Sequence, residues 1–232
     1  MEEQTMEVQT VEEKTIEEQT TGCLVCGAPL EYLQSQIEME CTYCHKTFMS
    51  NARCVNGHFI CDSCHEQMGL RVIEDICRHT DSKDPVAIMK KIILSPYIYM
   101  HGPEHHVLVG SALLAAYKNA GGELDLDAAL EEMRNRGAQV PGGICGLWGT
   151  CGAAVSTGIF VSLITGASPL SGKEWGLCNE MTSRSLGAIA KTGGPRCCKR
   201  DSYLSIIEAV RFTEEKLGVH MEIKEFSCTR SD

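Results

Sequence analysis

Eight potential metal ligands lie close together near the start of the chain. They form four closely spaced pairs: Cys23 and Cys26, Cys41 and Cys44, Cys54 and His58, and Cys61 and Cys64. Structural zinc takes four thiolate or imidazole ligands in a tetrahedron, so eight such residues predict two zinc ions. If consecutive pairs share an ion, the module is a zinc ribbon with a separate second site. If alternate pairs share an ion, it is the cross-brace of a RING-type module. The spacing fits both arrangements.

A second group of cysteines occurs in the C-terminal half, where glycines flank the thiols. Cys145 and Cys151 lie in GGICGLWGTCGAAVSTG (Gly142–Gly158), and Cys197 and Cys198 are neighbours in GGPRCCKR. Glycine lets the backbone approach a ligand closely, and a thiol at a helix N-terminus has a lowered pKa. We expect Cys151 to begin a helix whose free N–H groups favour its thiolate. We expect Cys145, Cys151 and at least one of Cys197 and Cys198 to converge in one pocket.

Two kinds of chemistry suit these C-terminal thiols. Four thiolates hold an iron–sulfur cluster, and Cys178 is a further candidate ligand for it. Two thiols without a metal carry out dithiol redox or sulfur-transfer chemistry instead, and buried structural cysteines are the third alternative. The basic residues of GGPRCCKR favour thiolates or an anionic substrate. His105 and Trp148 are candidates for the wall of the pocket.

Two other motifs in the sequence are associated with known chemistry. Cys41–His45 and Cys61–His65 match CxxCH, the attachment pattern of c-type haem, but that attachment normally needs export. We therefore expect the two histidines not to bind metal. His101–His105 matches HxxEH, an inverted zinc-peptidase motif, but Pro103 disfavours the helix that the motif requires. We treat this match as accidental. The alternative is that Glu104 or a neighbouring histidine contacts a metal or a substrate.

From Asp84 onward the pattern is helical. Asp84 is a predicted N-cap, and Pro85 occupies the first helical position. The further predicted helices are HHVLVGSALLAAYKNAGG, ended by Gly121; DLDAALEEMRNRG, ended by Gly137; Cys151 to Thr165; a helix that carries Cys178 and starts with a capping box at Ser171–Glu174; and Cys198 to Leu217, ended by Gly218. The alternating segment HMEIKEF predicts a short strand.

These elements predict a mostly α protein with two folded parts. Residues 22–70 form a small zinc-ribbon or RING-like module, which has few large apolar residues and needs a metal to hold it together. Residues 71–232 form a helical, cysteine-rich domain. Residues 1–21 repeat the pentad MEEQT in variants and hold seven glutamates and one lysine. We expect this acidic repeat to be a disordered tail.

The composition limits the classes of function. The net charge of −10 argues against general DNA binding, and no apolar stretch has the roughly 20 residues that span a membrane. The acidic start is unlike a secretory leader, so we expect a cytoplasmic protein. In that compartment the 14 cysteines are expected to be metal ligands or redox groups. No Rossmann or P-loop glycine pattern points to a nucleotide cofactor.

Several segments resemble a known family. DPVAIMKKIILSP, MHGPEHHVLVGSALLAAYKNAGG, GGICGLWGTCGAAVSTGIF and GGPRCCKR are similar to cysteine-rich proteins of anaerobic bacteria and methanogenic archaea, known as a domain of unknown function and sometimes attached to methyltransferase domains. CGAAVSTG also resembles the CGAxxG segment of small redox-active proteins. The resemblance implies no established activity. Two functions follow as expectations: thiol-based redox or sulfur-transfer chemistry on a small molecule, or a non-catalytic zinc module that docks a methyltransferase or an RNA.

Overall fold

The computed structural model describes residues 22–99 and 101–224, so the acidic repeat lies outside the described residues. The described part contains eight helices and one two-stranded sheet. The elements are β1 (Leu30–Glu40), β2 (Thr47–Cys54), α1 (Asp62–Arg78), α2 (Pro85–Ile93), α3 (His105–Asn119), α4 (Leu126–Gly137), α5 (Ile144–Leu147), α6 (Gly152–Thr165), α7 (Lys173–Thr192) and α8 (Cys198–Leu217). The predicted mostly α fold class is therefore confirmed.

The N-terminal module is built on an antiparallel hairpin. Leu30 of β1 lies opposite Cys54 of β2 at the open end. The backbone N–H of Thr42, in the turn, donates to the carbonyl of Phe59 at 2.8 Å, so the segment after β2 returns to the turn. Both strands are largely exposed. With so little apolar area buried, the module needs another source of stability.

Helix α1 joins this module to the helical domain. Its first turn contains Cys64, and farther along it buries Leu70, Ile73 and Cys77 in the main core. The boundary expected at residue 70 falls inside this continuous helix. The sequence analysis predicted no helix before Asp84. The spacing of the three buried residues is nevertheless the i, i+3, i+7 spacing of an amphipathic helix.

Helix α3 lies at the centre of the helical domain. Thirteen of its fifteen residues are buried, and a helix buried on every side must be surrounded by others. Its neighbours are α1, α2, α4, α6 and α8. The N-terminus of α3 reaches the glycine-rich segment around α5, because Gly152 at the start of α6 packs against the ring of His106. This contact brings the predicted thiol segment next to the core.

The helix boundaries agree closely with the sequence analysis. The Asp84 carboxylate accepts hydrogen bonds from the N–H groups of Val86 and Ala87, at 2.9 and 3.1 Å, as an N-cap does. Helix α8 runs from Cys198 to Leu217 and ends at Gly218, whose φ is 70°. None of the described helices has both the length and the apolar character to cross a membrane.

Two local predictions are wrong. Residues 220–224 form no strand, because the N–H of Glu222 bonds to the carbonyl of Lys83 in the loop before α2, at 2.9 Å, and not to a strand. Helix α7 has Gly172 at its N-cap and no side-chain cap. The Ser171 hydroxyl lies 3.1 Å from that of Ser168, in the preceding turn, so the capping box does not form.

Candidate functional site

The eight candidate ligands of the N-terminal module form two groups of four. In each group, all ligand atoms lie within 4.8 Å of one another. The first group is Cys23, Cys26, Cys54 and His58, and the second is Cys41, Cys44, Cys61 and Cys64. Alternate pairs along the chain therefore share a site, which is the interleaved arrangement. Each group could hold one metal ion.

The distances within the groups suit a tetrahedral ion. Zinc–sulfur bonds of about 2.3 Å in a tetrahedron place two sulfurs about 3.8 Å apart. Cys44 Sγ lies 3.8 Å from Cys61 Sγ, and Cys26 Sγ lies 3.5 Å from Cys54 Sγ. In the first group, His58 presents Nδ1 at 3.8 Å from a cysteine sulfur. The first group thus offers three thiolates and one imidazole, and the second offers four thiolates. Both donor sets are common for structural zinc.

Backbone N–H groups support thiolates at these sites. The N–H of Cys61 donates to Cys41 Sγ at 3.3 Å. Burial opposes ionisation of Cys41, but this N–H and those of neighbouring residues outweigh burial and lower its pKa to about 6. Burial raises the pKa of Cys64 to about 12, and the adjacent cysteine sulfurs add to the shift. A bound cation would favour the ionised form of all four sulfurs of this group.

The two histidines of the CxxCH motifs lie outside both ligand groups. His45 is exposed and bonds to Glu40 at 2.8 Å. His65 is buried in α1 and stacks on Tyr99, with ring centroids 3.7 Å apart and planes 6° apart. Its Nε2 has no hydrogen-bond partner among the described residues. Neither histidine is placed as a haem or zinc ligand.

The C-terminal thiols contribute to a separate cavity of about 250 Å³, called here the inner cavity. Cys145 from α5, Cys151 from the start of α6 and Cys198 from the start of α8 all line it. Cys151 and Cys198 are 47 positions apart in the chain, but the packing of α6 against α8 brings their elements together. Three of the four thiols named in the sequence analysis thus line one cavity, on three different elements.

Cys197, the fourth of these thiols, has another role. It precedes the first residue of α8, and its sulfur accepts a hydrogen bond from the N–H of Arg200 at 3.5 Å. This contact makes Cys197 the N-cap of α8 and places Cys198, the next residue, on the side of the cavity. The two adjacent cysteines thus have different positions: Cys197 caps α8, and Cys198 is the first residue of that helix.

Cys151 is the N-cap of α6, as expected, but its pKa is not lowered. Burial raises the pKa of Cys151, and the negative charge of Asp201 raises it further. The N–H groups of Ala153 and Ala154 act in the opposite direction but are too weak to reverse the shift. The N–H groups of the helix start therefore favour the thiolate, as expected, but desolvation of the sulfur exceeds their effect, so the expected net lowering of the pKa does not occur. Burial likewise raises the pKa of Cys198 to about 11.

The inner cavity is also lined by imidazoles at the start of α3. Burial lowers the pKa of His105 to about 4, and His105 Nε2 lies 3.1 Å from the carbonyl of Tyr99. His106 donates from Nδ1 to the carbonyl of Val140 at 3.0 Å. His101 lies before the helix. The HxxEH match therefore does not lie on one helix, as expected, although its histidines reach the cavity.

Asp201 is a residue of the cavity that the sequence analysis missed. Its side chain is 5% exposed, and Oδ1 accepts from Arg200 Nε at 3.0 Å. Oδ2 faces the Cys151 thiol at 4.0 Å. The sequence contained a signal for this residue. Asp201 follows Cys198 by three positions, and residues three apart in a helix lie on the same face, so the two could be expected to line the same space.

Three candidates lie away from the cavity lining. Cys178 is half-buried on α7. Burial raises the pKa of its thiol, and hydrogen bonds with the hydroxyls of Ser162 and Thr165 partly offset this rise. Trp148 is 69% exposed. Glu104 is buried and accepts from the N–H of Tyr99 at 3.0 Å. Among the described residues, no group of three or more potential ligands within 4.8 Å occurs outside the N-terminal module.

Comparison with known proteins identifies one family. Residues 73–232 match a family model whose description is a family of unknown function, DUF5714. No curated protein and no solved structure matches the chain. The matched span begins inside α1, after Cys64, and contains the cavity thiols. Because it covers more than half of the sequence, the chain belongs to the DUF5714 family.

Proposed function

We propose that this protein is a zinc-stabilised dithiol oxidoreductase. The observation that carries the proposal is that Cys145, Cys151 and Cys198, from three separate elements, line one small cavity. In this account, the N-terminal module binds two zinc ions with a structural role, since each site already has its four protein ligands. The helical domain reduces a disulfide in the cavity, in a cytoplasmic setting that keeps the thiols reduced.

The first step is attack by Cys145 on a substrate disulfide. Cys145 lies on the short glycine-flanked helix α5 and lines both the inner cavity and the wider groove outside it. Burial raises the pKa values of Cys151 and Cys198, so these two remain thiols at neutral pH and are weaker nucleophiles at rest. The Cys145 thiol gives up its proton to solvent as its Sγ bonds to one substrate sulfur. The other substrate sulfur departs as a thiolate and takes up a proton from solvent.

The second step resolves the mixed disulfide. Cys151 attacks Cys145 Sγ, and its proton passes to the departing substrate thiolate. The protein dithiol loses two electrons and becomes an internal disulfide, and the substrate disulfide becomes two thiols. A small dithiol or a thiol-reducing protein then restores the protein, by the same exchange chemistry in reverse. Cys198, deeper in the cavity, is the alternative resolving thiol.

An iron–sulfur cluster at these thiols is less well supported. A cluster needs several thiolates with their sulfur atoms close around it. Three of the described thiols line the cavity, one fewer than a four-thiolate cluster requires. The dithiol reaction needs only two sulfurs that meet in sequence. For this reason we assign the metals to the N-terminal module and the thiol chemistry to the cavity.

A single-turnover experiment on the full, reduced protein tests the proposal. One equivalent of an aromatic disulfide that releases a coloured thiolate is added anaerobically. The wild type should release two thiolates per reagent molecule. Cys145→Ser should lose the fast release, whereas the double variant Cys151→Ser/Cys198→Ser should release one thiolate and retain the mixed disulfide on Cys145. Cys178→Ser is the control and should match the wild type. Unchanged release in Cys145→Ser would refute the assignment.

A second candidate function is partner docking by the hairpin module. The hairpin exposes the apolar side chains of Tyr32, at 75%, and Met49, at 57%. A protein partner, such as a methyltransferase domain, suits this surface better than RNA. Three glutamates of β1 outnumber the lysine and arginine of the hairpin, and Arg53 is already paired with Glu31 at 2.7 Å. Tyr32→Ser/Met49→Ser should abolish co-purification with a methyltransferase partner; retention would exclude this surface.

A further inference from the structure

The inner cavity adjoins a wider groove. The groove has a volume of about 680 Å³ and is bounded by α5, the second half of α7 and the start of α8. The two spaces share the lining residues Gly143, Cys145, Cys151, Arg196 and Asp201. The thiols of Cys145 and Cys151 therefore lie where the two spaces adjoin. A disulfide group alone is much smaller than this combined space, so the shape admits a substrate with a substantial arm outside the thiols.

Much of the groove wall is apolar. Leu147, Leu186, Ile189 and Ala190 supply its aliphatic side chains, and half of its other lining residues are glycines. Among the described residues, serine, threonine, asparagine and glutamine side chains do not line this groove. Away from its three charged residues, such a wall has no polar side chains to recognise a polar arm. It buries an aliphatic arm favourably, at about 0.8 kcal/mol for each methylene group.

The charged side chains that line the cavity and the groove favour an anionic group near the thiols. Asp201 and Arg200 form an ion pair at 3.0 Å and largely cancel each other. Arg196 lines both spaces, and within residues 22–99 and 101–224 it forms no salt bridge with a carboxylate. The junction therefore carries one uncompensated positive charge, in a protein whose net charge is −10. Guanidinium pairs well with a carboxylate, sulfonate or phosphate.

We propose that the substrate is an asymmetric aliphatic disulfide: one arm bears an anionic group a few bonds from its sulfur, and the other arm is an alkyl chain. The proposal rests on the proposed function. The disulfide lies at the cavity thiols, the anion pairs with Arg196, and the alkyl arm lies along Leu186 and Ile189. The two protein thiols supply two electrons, and the products are one anionic thiol, one alkyl thiol and the internal protein disulfide.

Three probe disulfides separate the contributions of charge and chain. The first is the mixed disulfide of hexanethiol and mercaptopropionic acid, which carries both features. The second is its carboxamide, which lacks the charge. The third is the mixed disulfide of methanethiol and mercaptopropionic acid, which lacks the chain. Each is mixed with the reduced full protein, and the rate of formation of the internal protein disulfide is followed by quenched alkylation and mass spectrometry.

The expected rates form a pattern. The complete probe should react about fivefold faster than the carboxamide, the size of effect that one partly exposed ion pair gives. It should react at least about tenfold faster than the methyl probe, because the five missing methylene groups lose their burial. Arg196→Gln should bring the ratio of the acid rate to the carboxamide rate close to one. Ile189→Thr should reduce the preference for the hexyl arm.

Controls distinguish the two proposals. Arg211→Gln changes an exposed arginine on the same helix as Cys198, paired with Glu208 at 2.7 Å, and should keep both preferences. Thermal melting verifies that each variant is folded. If all three probes oxidise the wild type at equal rates, the substrate inference fails and the dithiol function stands. If none of them produces the internal disulfide, the proposed function fails with it. An unchanged acid preference in Arg196→Gln would overturn the role of Arg196.

Discussion

The thiol of Cys151 faces the Oδ2 atom of Asp201 at 4.0 Å, while the other carboxylate oxygen of Asp201 accepts from Arg200 Nε at 3.0 Å. A buried carboxylate beside a thiol disfavours the thiolate, because the two negative charges would repel each other where water screens them poorly. This contact, together with burial, explains why the pKa of Cys151 is raised although the thiol caps a helix.

The first prediction concerns this pair. Asp201→Asn removes the negative charge and should lower the pKa of Cys151 toward its ordinary value. A larger thiolate fraction at pH 8 should make alkylation of Cys151 faster, by about twofold to tenfold. The measurement is the pH dependence of iodoacetamide labelling, followed on the peptide that contains Cys151.

Glu208→Gln provides the matched control for Asp201→Asn. Glu208 is another acidic residue of α8, and it pairs with Arg211 at 2.7 Å. Its loss should leave the labelling profile of Cys151 unchanged. Slower labelling in Asp201→Asn, or a profile that does not move, would show that Asp201 does not set the pKa of this thiol.

The second prediction concerns metal pairing in the N-terminal module. Cys26 and Cys54 belong to one site, and Cys44 belongs to the other. Cys26→Ser/Cys54→Ser should therefore lose one ion per chain, and Cys26→Ser/Cys44→Ser should lose both. The reason is that a tetrahedral site without one or two ligands binds zinc far more weakly. Elemental analysis of the purified full-length variants gives the count.

A ribbon arrangement predicts the reverse pattern of metal loss. If Cys23, Cys26, Cys41 and Cys44 shared an ion, the variant Cys26→Ser/Cys44→Ser would retain one ion and Cys26→Ser/Cys54→Ser would lose both. His45→Ala is the control, because His45 follows Cys44 but lies outside both groups. It should keep two ions per chain.

The third prediction concerns the contact between α6 and α7. A Cβ atom at Gly158 would collide with the Thr182 hydroxyl and would lie 3.2 Å from the backbone carbonyl of Cys178. Gly158→Ala should therefore destabilise the protein by about 1–3 kcal/mol, the usual cost of overpacking. Gly176→Ala, on exposed α7, meets no atom within 4 Å. It should stabilise the helix by up to about 1 kcal/mol. Chemical denaturation measures both, and equal effects would contradict the packing account.

The fourth prediction concerns the stack between His65 and Tyr99. His65→Ala removes a ring contact with centroids 3.7 Å apart in a buried place next to Cys64. We expect a loss of about 1–3 kcal/mol in the free energy of unfolding, from the aromatic pair and the space left behind. His79→Ala, at the exposed end of the same helix, should change stability by less than about 0.5 kcal/mol. A loss of bound metal in His65→Ala would instead indicate that His65 supports the second site directly.

The candidate metal ligands could be identified from the sequence because their spacing alone restricts them. Two residues separated by two or three positions can reach one ion from a single turn, so the four pairs are visible without a structure. The pairing could not be predicted, since it depends on how the hairpin brings its open end and its turn together. The contact between Thr42 and Phe59 is one of the features that decide it.

The thiol cavity was predictable in part. Glycine-rich segments and helix starts drew attention to Cys145, Cys151 and Cys198, and all three line the cavity. The position of Cys178 was not predictable, because a cysteine on an amphipathic helix faces whichever neighbour that helix meets. The pKa of Cys151 was mispredicted for a related reason. The helix terminus is a local feature, whereas burial and the charge of Asp201 arise only from tertiary packing.

The most direct test of the central claim is disulfide and metal analysis of protein purified without oxygen. The protein is equilibrated in buffers of graded dithiol-to-disulfide ratio, quenched by alkylation and mapped by mass spectrometry without reduction. The account predicts colourless protein with zinc and no iron, and one reversible two-electron disulfide that joins Cys145 to Cys151 or Cys198. Brown, iron-containing protein, or cavity thiols that remain unlinked in the most oxidising buffer, would contradict it.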